Sequence, residues 1–378
     1  MFKKYLSDYG SLLLASLLLF LFCTEAYFKV LYFTTGNISN ILKCTKGMLL
    51  LICLFVILKK NIKSLLCLSL FSVLFIIGQY STNLGFSEPI LIYFIKFVYP
   101  IVIFLFFSID YIQQINKKLL FSVFEYLMIF NSILILLAVV FDIQIFRTYF
   151  TSRFGYNGLI ISSSSSSYIY ALFLIFLITK YKKNILKKWT NYIILLAIVF
   201  VGTKALYLFS LCFVCFYFWV YSNIDKKMLL ALLVTVIFLI LYVFFFQIGI
   251  FNEIREQDGL ISSVFSYRDR LLLEKTIPYI KENWSFTNYL FGGINDLRTK
   301  SQMEVVDVFY YFGILGGLYY LYLYLKAFFK FKSNLNIVFL LGALLFIVFL
   351  SGNFFTYSSI VIYLVILSEY LKLDDQNT

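Results

Sequence analysis

The sequence predicts an all-α polytopic integral membrane protein with about 12 transmembrane helices (range 10–12). Hydrophobic residues make up 62% of its 378 residues and charged residues only 13%, against about 45–50% and about 25% in soluble domains. Apolar segments of about 20 residues, each long enough to cross the hydrocarbon core of a bilayer, recur along the chain. The short alternating segments of a transmembrane β-barrel are not apparent. We therefore expect a single transmembrane domain over residues 1–378.

The apolar segments place the helices in order along the chain. The first follows "MFKK" and continues through Glu25 without a small-residue cleavage site, so we interpret it as a retained helix and not as a signal peptide. The second and seventh helices are short, and very tight turns at Lys204 and Gly352 are expected to join two of the pairs. The predicted ranges are 10–31, 44–58, 64–80, 89–109, 119–140, 159–179, 189–203, 204–222, 228–247, 304–325, 335–351 and 354–371.

The distribution of lysine predicts the orientation, because short cytoplasmic loops carry an excess of Lys and Arg. With both termini in the cytoplasm, every cytoplasmic loop is rich in lysine: "KKNIK", "NKK", "KYKKNILKK", "NIDKK" and "KAFFKFKSN". The external side then receives "STNLGFSEP", the segment "FDIQIFRTYFTSRFGYNG", the joint at Lys204, a long loop over 248–303 and "SGNFF".

The positions of the arginines agree with the predicted topology, although they were not used to predict it. All six arginines lie in two external loops: Arg147, Arg153, Arg255, Arg268, Arg270 and Arg298. Lysine suffices where only positive charge matters, whereas the guanidinium group grips an oxyanion with two parallel hydrogen bonds. The asymmetry therefore predicts anion binding on the external face, with chance placement as the alternative.

The long external loop, 248–303, is predicted to contain an amphipathic helix. In "SYRDRLLLEKTIPYIKENW", Ser266 and Asp269 resemble a capping box, and apolar residues are interleaved with polar ones at helical spacing. Such a helix is expected to lie on the outer membrane surface, with Trp284 at the level of the head groups.

Four stretches, in this order, resemble the O-antigen polymerase and ligase superfamily, whose bacterial polymerases join lipid-linked sugar repeats. They are "RFGYNG", "VGTKALYLF", "SYRDRLLLEKTIPYI" with "LFGGI", and "EVVDVFYYFGILGG", and all of them begin at or after residue 153. The first five predicted helices match the family only in hydropathy. The resemblance implies a GT-C-like glycosyltransferase architecture in a bacterial cytoplasmic membrane, with the active site facing outside.

The chemistry implied by the resemblance is glycosyl transfer from a polyprenyl-pyrophosphate-linked oligosaccharide to a sugar hydroxyl on a second lipid-linked unit. The pyrophosphate leaving group needs cations to neutralise its charge. The candidates for this role are Arg153, Lys204, Arg268 and Arg270. Glu304 and Asp307, three residues apart on one helix face, are the candidate catalytic carboxylates. Acidic residues near a helix N-terminus are also stabilised by its dipole, by about 0.3–1 kcal/mol, without any catalytic role. No metal or other cofactor is expected.

The serine run Ser162–Ser167 opens a predicted external helix end. Hydroxyl groups there can line a cavity that holds sugar, and the candidates for this lining are Tyr156, Asn157, Ser163 and Ser166. Alternatively, small serines let helices pack closely and bond their own backbone carbonyls. A run of six cannot face one way, so packing must explain some of them.

Two other functions remain open from the sequence. A ligase is one, although ligases of this superfamily usually carry a histidine in the long loop or just before the last motif, and this chain has none. A lipid-linked oligosaccharide flippase or other transporter is the second, and the charged residues Glu25, Lys29 and Lys96 within apolar segments favour it. Glu25 and Lys29, at i and i+4, also have the spacing of a simple ion pair.

The expected partners are the lipid-linked donor and acceptor, membrane lipids, a flippase and a chain-length regulator. Nucleic acid is not expected. Function as a polymerase in O-antigen, capsule or exopolysaccharide synthesis is the leading hypothesis.

Overall fold

The computed structural model describes residues 2–36, 41–82, 86–149, 153–221, 250–331 and 334–377, together with the single residues 228, 235 and 242. The described residues are all-helical: 83% of them are in helices, and they contain no strand. One isolated antiparallel bridge joins Arg147 to Tyr156. Apart from residues 228, 235 and 242, the predicted helix 228–247 lies outside the described residues.

The helices of the first half agree with the apolar segments. Their bounds are α1 Phe2–Thr35, α2 Ile41–Lys60, α3 Ile62–Tyr80, α4 Glu88–Phe107, the short α5 Asp110–Gln113, and α6 Lys118–Phe141. α2 has 20 residues and is longer than the sequence predicted.

The second half contains long helices and several short ones. Their bounds are α7 Ser163–Tyr181, α8 Trp189–Phe200, α9 Lys204–Tyr221, α10 Ile250–Phe265, α11 Arg268–Leu271, α12 Ile277–Asn283, α13 Phe286–Phe291, α14 Glu304–Phe328, α15 Leu335–Leu350 and α16 Ser358–Asn377. A π-helical turn, Leu272–Thr276, joins α11 to α12. α8 is short, as predicted, with 12 residues.

Seven helices in the described part of the chain are long and apolar enough to cross a membrane: α1 (over Asp8–Thr35), α2, α3, α4, α6, α9 and α14. α8 and α15 are shorter apolar helices. The protein is therefore a helical membrane protein, as the composition predicted. Its spanning faces expose large apolar side chains such as Leu13, Leu51 and Phe130, which is the expected surface of a bundle surrounded by lipid.

α7 lies at the centre of the bundle. Every residue from Ser165 to Thr179 is buried, and the helix packs against α9, α15 and α16. A helix that is apolar on all sides is stable only where other helices surround it. A second packed region consists of aromatic rings between α3, α4 and α14, in which Phe75 stacks on Phe94 with ring centroids 4.1 Å apart.

The arginines gather at one end of the bundle, whereas lysines lie at both ends. At one end, lysines pair with buried carboxylates: Lys180 and Lys188 with Glu125, and Lys117 with Glu369. At the opposite end lie the loops that hold the arginines, and we call this the arginine end. That the arginine end faces away from the cytoplasm stays a prediction of the positive-inside rule.

Of the two tight turns predicted between helices, the structure contains one. α8 and α9 meet at a short turn over 201–203, as predicted. The joint at Gly352 is not a tight turn but a loop, because α15 ends at Leu350 and α16 begins at Ser358. The aromatic side chains of Phe354 and Phe355 are buried under the bundle end, and this burial requires an extended connection.

Candidate functional site

The site is built where the first two sequence motifs meet. The backbone N–H of Tyr156 donates to the Phe200 carbonyl at 2.8 Å. Gly202 has φ +74, and a Cβ at this position would lie 2.5 Å from the Phe154 carbonyl oxygen. Only glycine allows both the positive φ and this close approach. The turn before α9 therefore presses directly against "RFGYNG".

Arg153 and Lys204 share one aromatic ring as a result. The Arg153 guanidinium lies 4.9 Å from the ring centroid of Phe251, and Lys204 Nζ lies 3.7 Å from the same centroid. On its other side, Arg153 stacks on Tyr149 at 4.0 Å. Lys204 Nζ also donates to the Ser263 carbonyl at 2.7 Å. Cation–π contacts hold both charges without neutralising them.

Arg268 is the third cation of this group, which we call the cation cluster: Arg153, Lys204 and Arg268. Its Nη1 lies 3.3 Å from the Leu350 carbonyl, and its buried Nε has no hydrogen-bond partner in the described structure. Burial lowers the pKa of the Arg268 guanidinium, and the nearby charge of Arg153 lowers it further, while Tyr168, Tyr149 and Asp307 oppose the shift. A buried guanidinium with an unused donor is suited to bind an oxyanion.

Arg270 does not join the cation cluster. Its guanidinium forms an ion pair with Asp258, and the Tyr267 hydroxyl donates to the same carboxylate at 2.8 Å. The Arg270 side chain is 44% exposed. Two residues after Arg268 on the same helix, it points to another side, because successive helical positions do not share a face.

The two candidate carboxylates are both buried, but their contacts differ. Glu304 accepts hydrogen bonds from the backbone N–H groups of Asn353 and Phe355, the latter at 2.8 Å. Asp307 Oδ1 accepts from the backbone N–H and the hydroxyl of Ser301, both at 2.8 Å. Glu304 thus ties α14 to the loop before α16. Asp307 ties the helix to its own preceding loop and also interacts with Arg268.

The third and fourth motifs are in contact through glycines. Gly313, inside α14, has φ +66, and a Cβ there would lie 2.4 Å from the Gly292 nitrogen. This contact seats "LFGGI" on "VFYYFG". Trp284 Nε1 donates to the Gly293 carbonyl at 3.0 Å and its ring stacks on Tyr310. The Trp284 indole is therefore fixed by contacts with other residues of the protein.

The predicted capping box of the loop helix is wrong. Ser266 and Tyr267 have positive φ values of 54 and 66, and the residue before α11 makes no side-chain cap. Asp269 instead accepts a hydrogen bond from the Ser262 hydroxyl at 2.6 Å. The chain reverses sharply here, so Ser266 does not have the extended backbone that a capping serine needs.

Two of the four residues proposed to line a sugar cavity have structural contacts. The Tyr156 hydroxyl donates to Asp142 at 2.6 Å, and this contact, with Arg147, holds the pKa of the exposed Asp142 carboxyl below its usual range. Asn157 is fully buried. Its Oδ1 accepts from Lys29 Nζ, and its carbonyl accepts from Asn131 at 3.2 Å. Lys29 therefore does not pair with Glu25, which instead pairs with Lys46 at 2.7 Å.

Most of the serines in the run Ser162–Ser167 form hydrogen bonds within α7 or cap its N-terminus. Ser162 is the N-cap of α7 and forms a capping box with Ser165. The Ser166 hydroxyl donates to the Ser163 carbonyl at 2.9 Å, and the Ser167 hydroxyl contacts Thr203 at 2.6 Å. Ser163 is half-buried and interacts with Tyr149, which stacks on Arg153. Two members of the run, Ser163 and Ser167, thus contact residues that adjoin the cation cluster.

Sequence reasoning missed Phe251 and Tyr149, the two rings that hold Arg153. Both lie in stretches so rich in aromatics that no spacing distinguishes them. Proximity of Tyr149 to Arg153 in the sequence was the one available signal.

No family model, curated protein or solved structure matches this chain. Support for a function therefore comes from the residues and their geometry. A cluster of three cations beside a buried carboxylate, at the end of a membrane bundle, is chemically suited to bind a phosphorylated lipid and to stabilise a departing phosphate group.

Proposed function

We propose that the protein is a membrane glycosyltransferase that joins polyprenyl-pyrophosphate-linked oligosaccharide repeat units at the outer face of a bacterial cytoplasmic membrane. It is a polysaccharide polymerase of the O-antigen, capsule or exopolysaccharide type. The observation that carries the proposal is the convergence of Arg153, Lys204 and Arg268, from three separate motifs, beside Asp307. Arg270 has no part in this role, since Asp258 holds it.

In this mechanism the cation cluster binds the pyrophosphate of the donor. As the bond between the anomeric carbon and the phosphate oxygen breaks, negative charge grows on the leaving group, and the three cations stabilise it. Arg268 supplies an unused N–H donor for this purpose. The acceptor hydroxyl attacks the anomeric carbon and loses its proton to a carboxylate.

Asp307 is the better candidate for this base. Backbone N–H groups of the loop before α16 bond to both carboxylate oxygens of Glu304, which leaves that side chain a structural role. The charge of Asp307 also acts on Arg268, which favours Asp307 as the carboxylate that works with the cation cluster. The mechanism places the base and the leaving-group cations within one small volume, as glycosyl transfer requires.

The decisive experiment locates the lipid-linked units in cells that carry Arg268→Lys in place of the native protein. This variant keeps the charge but loses the bidentate guanidinium group. We expect little polymer, and single lipid-linked units that an impermeant glycosidase reaches in intact spheroplasts. Arg298→Lys is the matched control, because Arg298 lies in the same external segment, is 90% exposed and pairs with Asp296.

The outcome distinguishes three functions. Units that become accessible only after the membrane is broken would show a flippase instead of a polymerase. Polymer of normal length that fails to reach its final acceptor would show a ligase. Normal polymer from Arg268→Lys would remove the oxyanion role on which the proposal rests.

A further inference from the structure

A second region of the protein, mainly on helices that precede the sequence motifs and on α16, combines an apolar groove with a cluster of lysines. The groove lies between α1, α2, α4, α6 and α16. A second, smaller pocket continues from it and ends at Glu25 and Ser359. The two pockets share Leu18, Leu21 and Ile362, so they lie side by side, and we call the pair the channel.

The same polarity gradient is found on four helices that line this channel. On α1, the lining face carries Leu14, Leu18, Leu21 and then Glu25, at steps of three and four residues. Residues at this spacing lie on one side of a helix. The channel is therefore apolar along its length and polar at one end.

α2, α4 and α16 repeat the pattern. On α2, Lys46 is followed by the lining residues Leu49 and Cys53, and on α16 Ser359 is followed by Ile362 and Ile366. On α4, Lys96 is followed by Tyr99, Ile103 and Phe106. In each case the polar residue lies nearer to the arginine end of the bundle. The channel thus has the profile of an amphiphile, with a head at the membrane surface and a tail inside the bilayer.

The polar end carries more positive charge than the protein neutralises. Lys43, Lys46 and Lys300 all lie close enough to Lys96 to repel its charge. Lys300 also faces Glu304 and Asp307. Of the other three, only Lys46 makes an ion pair with a described residue, Glu25. Like charges gathered at a membrane surface are stable where an anion lies between them.

A buried polar group points to the same place. The Tyr99 hydroxyl is buried and has no hydrogen-bond partner among the described residues. It lies close to Cys53 and Glu25, at the junction of the channel and its polar end. Buried hydroxyl groups without a hydrogen-bond partner are rare. The Tyr99 hydroxyl therefore indicates a partner that does not come from the described residues.

We propose that this channel binds one anionic phospholipid of the surrounding bilayer, with an acyl chain along the groove and the phosphate between Lys43, Lys46 and Lys96. Lys43 and Lys96 are exposed on the outer surface of the bundle, where bilayer lipids reach them. Basic pockets between transmembrane helices are known to bind acidic lipid head groups. The phosphate or glycerol oxygens of the lipid supply the partner that Tyr99 lacks. None of these three lysines belongs to the cation cluster.

The test uses the full-length protein in detergent, stripped of lipid and titrated with phosphatidylglycerol, with bound lipid counted by native mass spectrometry. Lys46→Gln and Lys96→Gln should each weaken binding about fivefold, since one lysine near a head group contributes about 1 kcal/mol. Lys59→Gln is the matched control, because Lys59 lies at the far end of α2. Tyr99→Phe should also weaken binding, and it removes only one hydroxyl from the native protein.

The tail is tested separately. Leu18→Trp fills the groove and should reduce bound phosphatidylglycerol, whereas Leu19→Trp, on the exposed face of α1, should not. Equal binding of phosphatidylcholine would show that the lysines recognise no anion. Displacement of phosphatidylglycerol by polyprenyl phosphate at a lower concentration would make the occupant an isoprenoid lipid. No difference between Lys96→Gln and Lys59→Gln would overturn the proposal directly.

Discussion

Lys204 Nζ lies 3.7 Å from the ring centroid of Phe251, and this pair fixes the position of one cation of the cluster. The same ring contacts Arg153. Phe251 comes from α10 and Lys204 from the start of α9, so the segment that begins with α10 contacts the bundle at this point. Two cations that share a ring repel each other, and the arrangement is most stable when an anion lies beside both.

Phe251→Leu should therefore lower polymer formation without removing any charge. The loss of cation–π contacts, worth about 0.5–2 kcal/mol each, lets both cations move away from the pyrophosphate. Polymer per unit of membrane protein is the measurement. Phe286→Leu is the matched control, since Phe286 lies in the same external segment and is 79% exposed. Equal polymer from both variants would show that the ring does not position the cations.

Gly202→Ala should destabilise the junction between the first two motifs. The new Cβ would lie 2.5 Å from the Phe154 carbonyl oxygen, at a φ of +74. Strain of this kind costs about 1–3 kcal/mol. We expect a lower apparent melting temperature in detergent. Gly342→Ala is the control, because nothing lies within 4 Å of its added Cβ. An unchanged melting temperature for Gly202→Ala would contradict the packing described here.

The variants Asp307→Asn and Glu304→Gln should differ in their effects: the first should lower polymer formation, and the second should lower the stability of the protein. Asparagine keeps an oxygen to accept from Ser301, so the protein should fold while polymer falls by about 100- to 10,000-fold if the carboxylate is a general base. Glutamine offers one oxygen to the two N–H groups that Glu304 now satisfies, which costs about 1–3 kcal/mol for the one left over. Polymer and protein level are measured together. A normal level with no polymer for Glu304→Gln would move the base to Glu304.

A single cysteine at Asn295, in a cysteine-free background, should react with an impermeant maleimide in intact cells. Asn295 is exposed and lies at the arginine end. A cysteine at Lys187, which is exposed at the lysine end, should react only after lysis. The reverse pattern would place the arginine end in the cytoplasm and exclude an external transferase.

Local pattern predicted the elements well. Every predicted helix that falls on described residues is present, including the short α8 and the turn before Lys204. Hydropathy over about 20 residues is enough for this, because a helix in a membrane satisfies its own backbone hydrogen bonds. The capping box at Ser266 and the pairing of Glu25 with Lys29 were wrong. In both cases another residue supplied the partner, Ser262 for Asp269 and Lys46 for Glu25.

The sequence by itself determined that this is a helical membrane protein and that its arginines gather in the loops at one end, because hydropathy and charge are properties of single segments. Only the tertiary structure decided that Arg153, Lys204 and Arg268 converge while Arg270 faces Asp258. Residues that are 51 to 115 positions apart meet through glycine contacts and buried aromatic rings. The direction in which each side chain points depends on that packing, which the sequence alone does not specify.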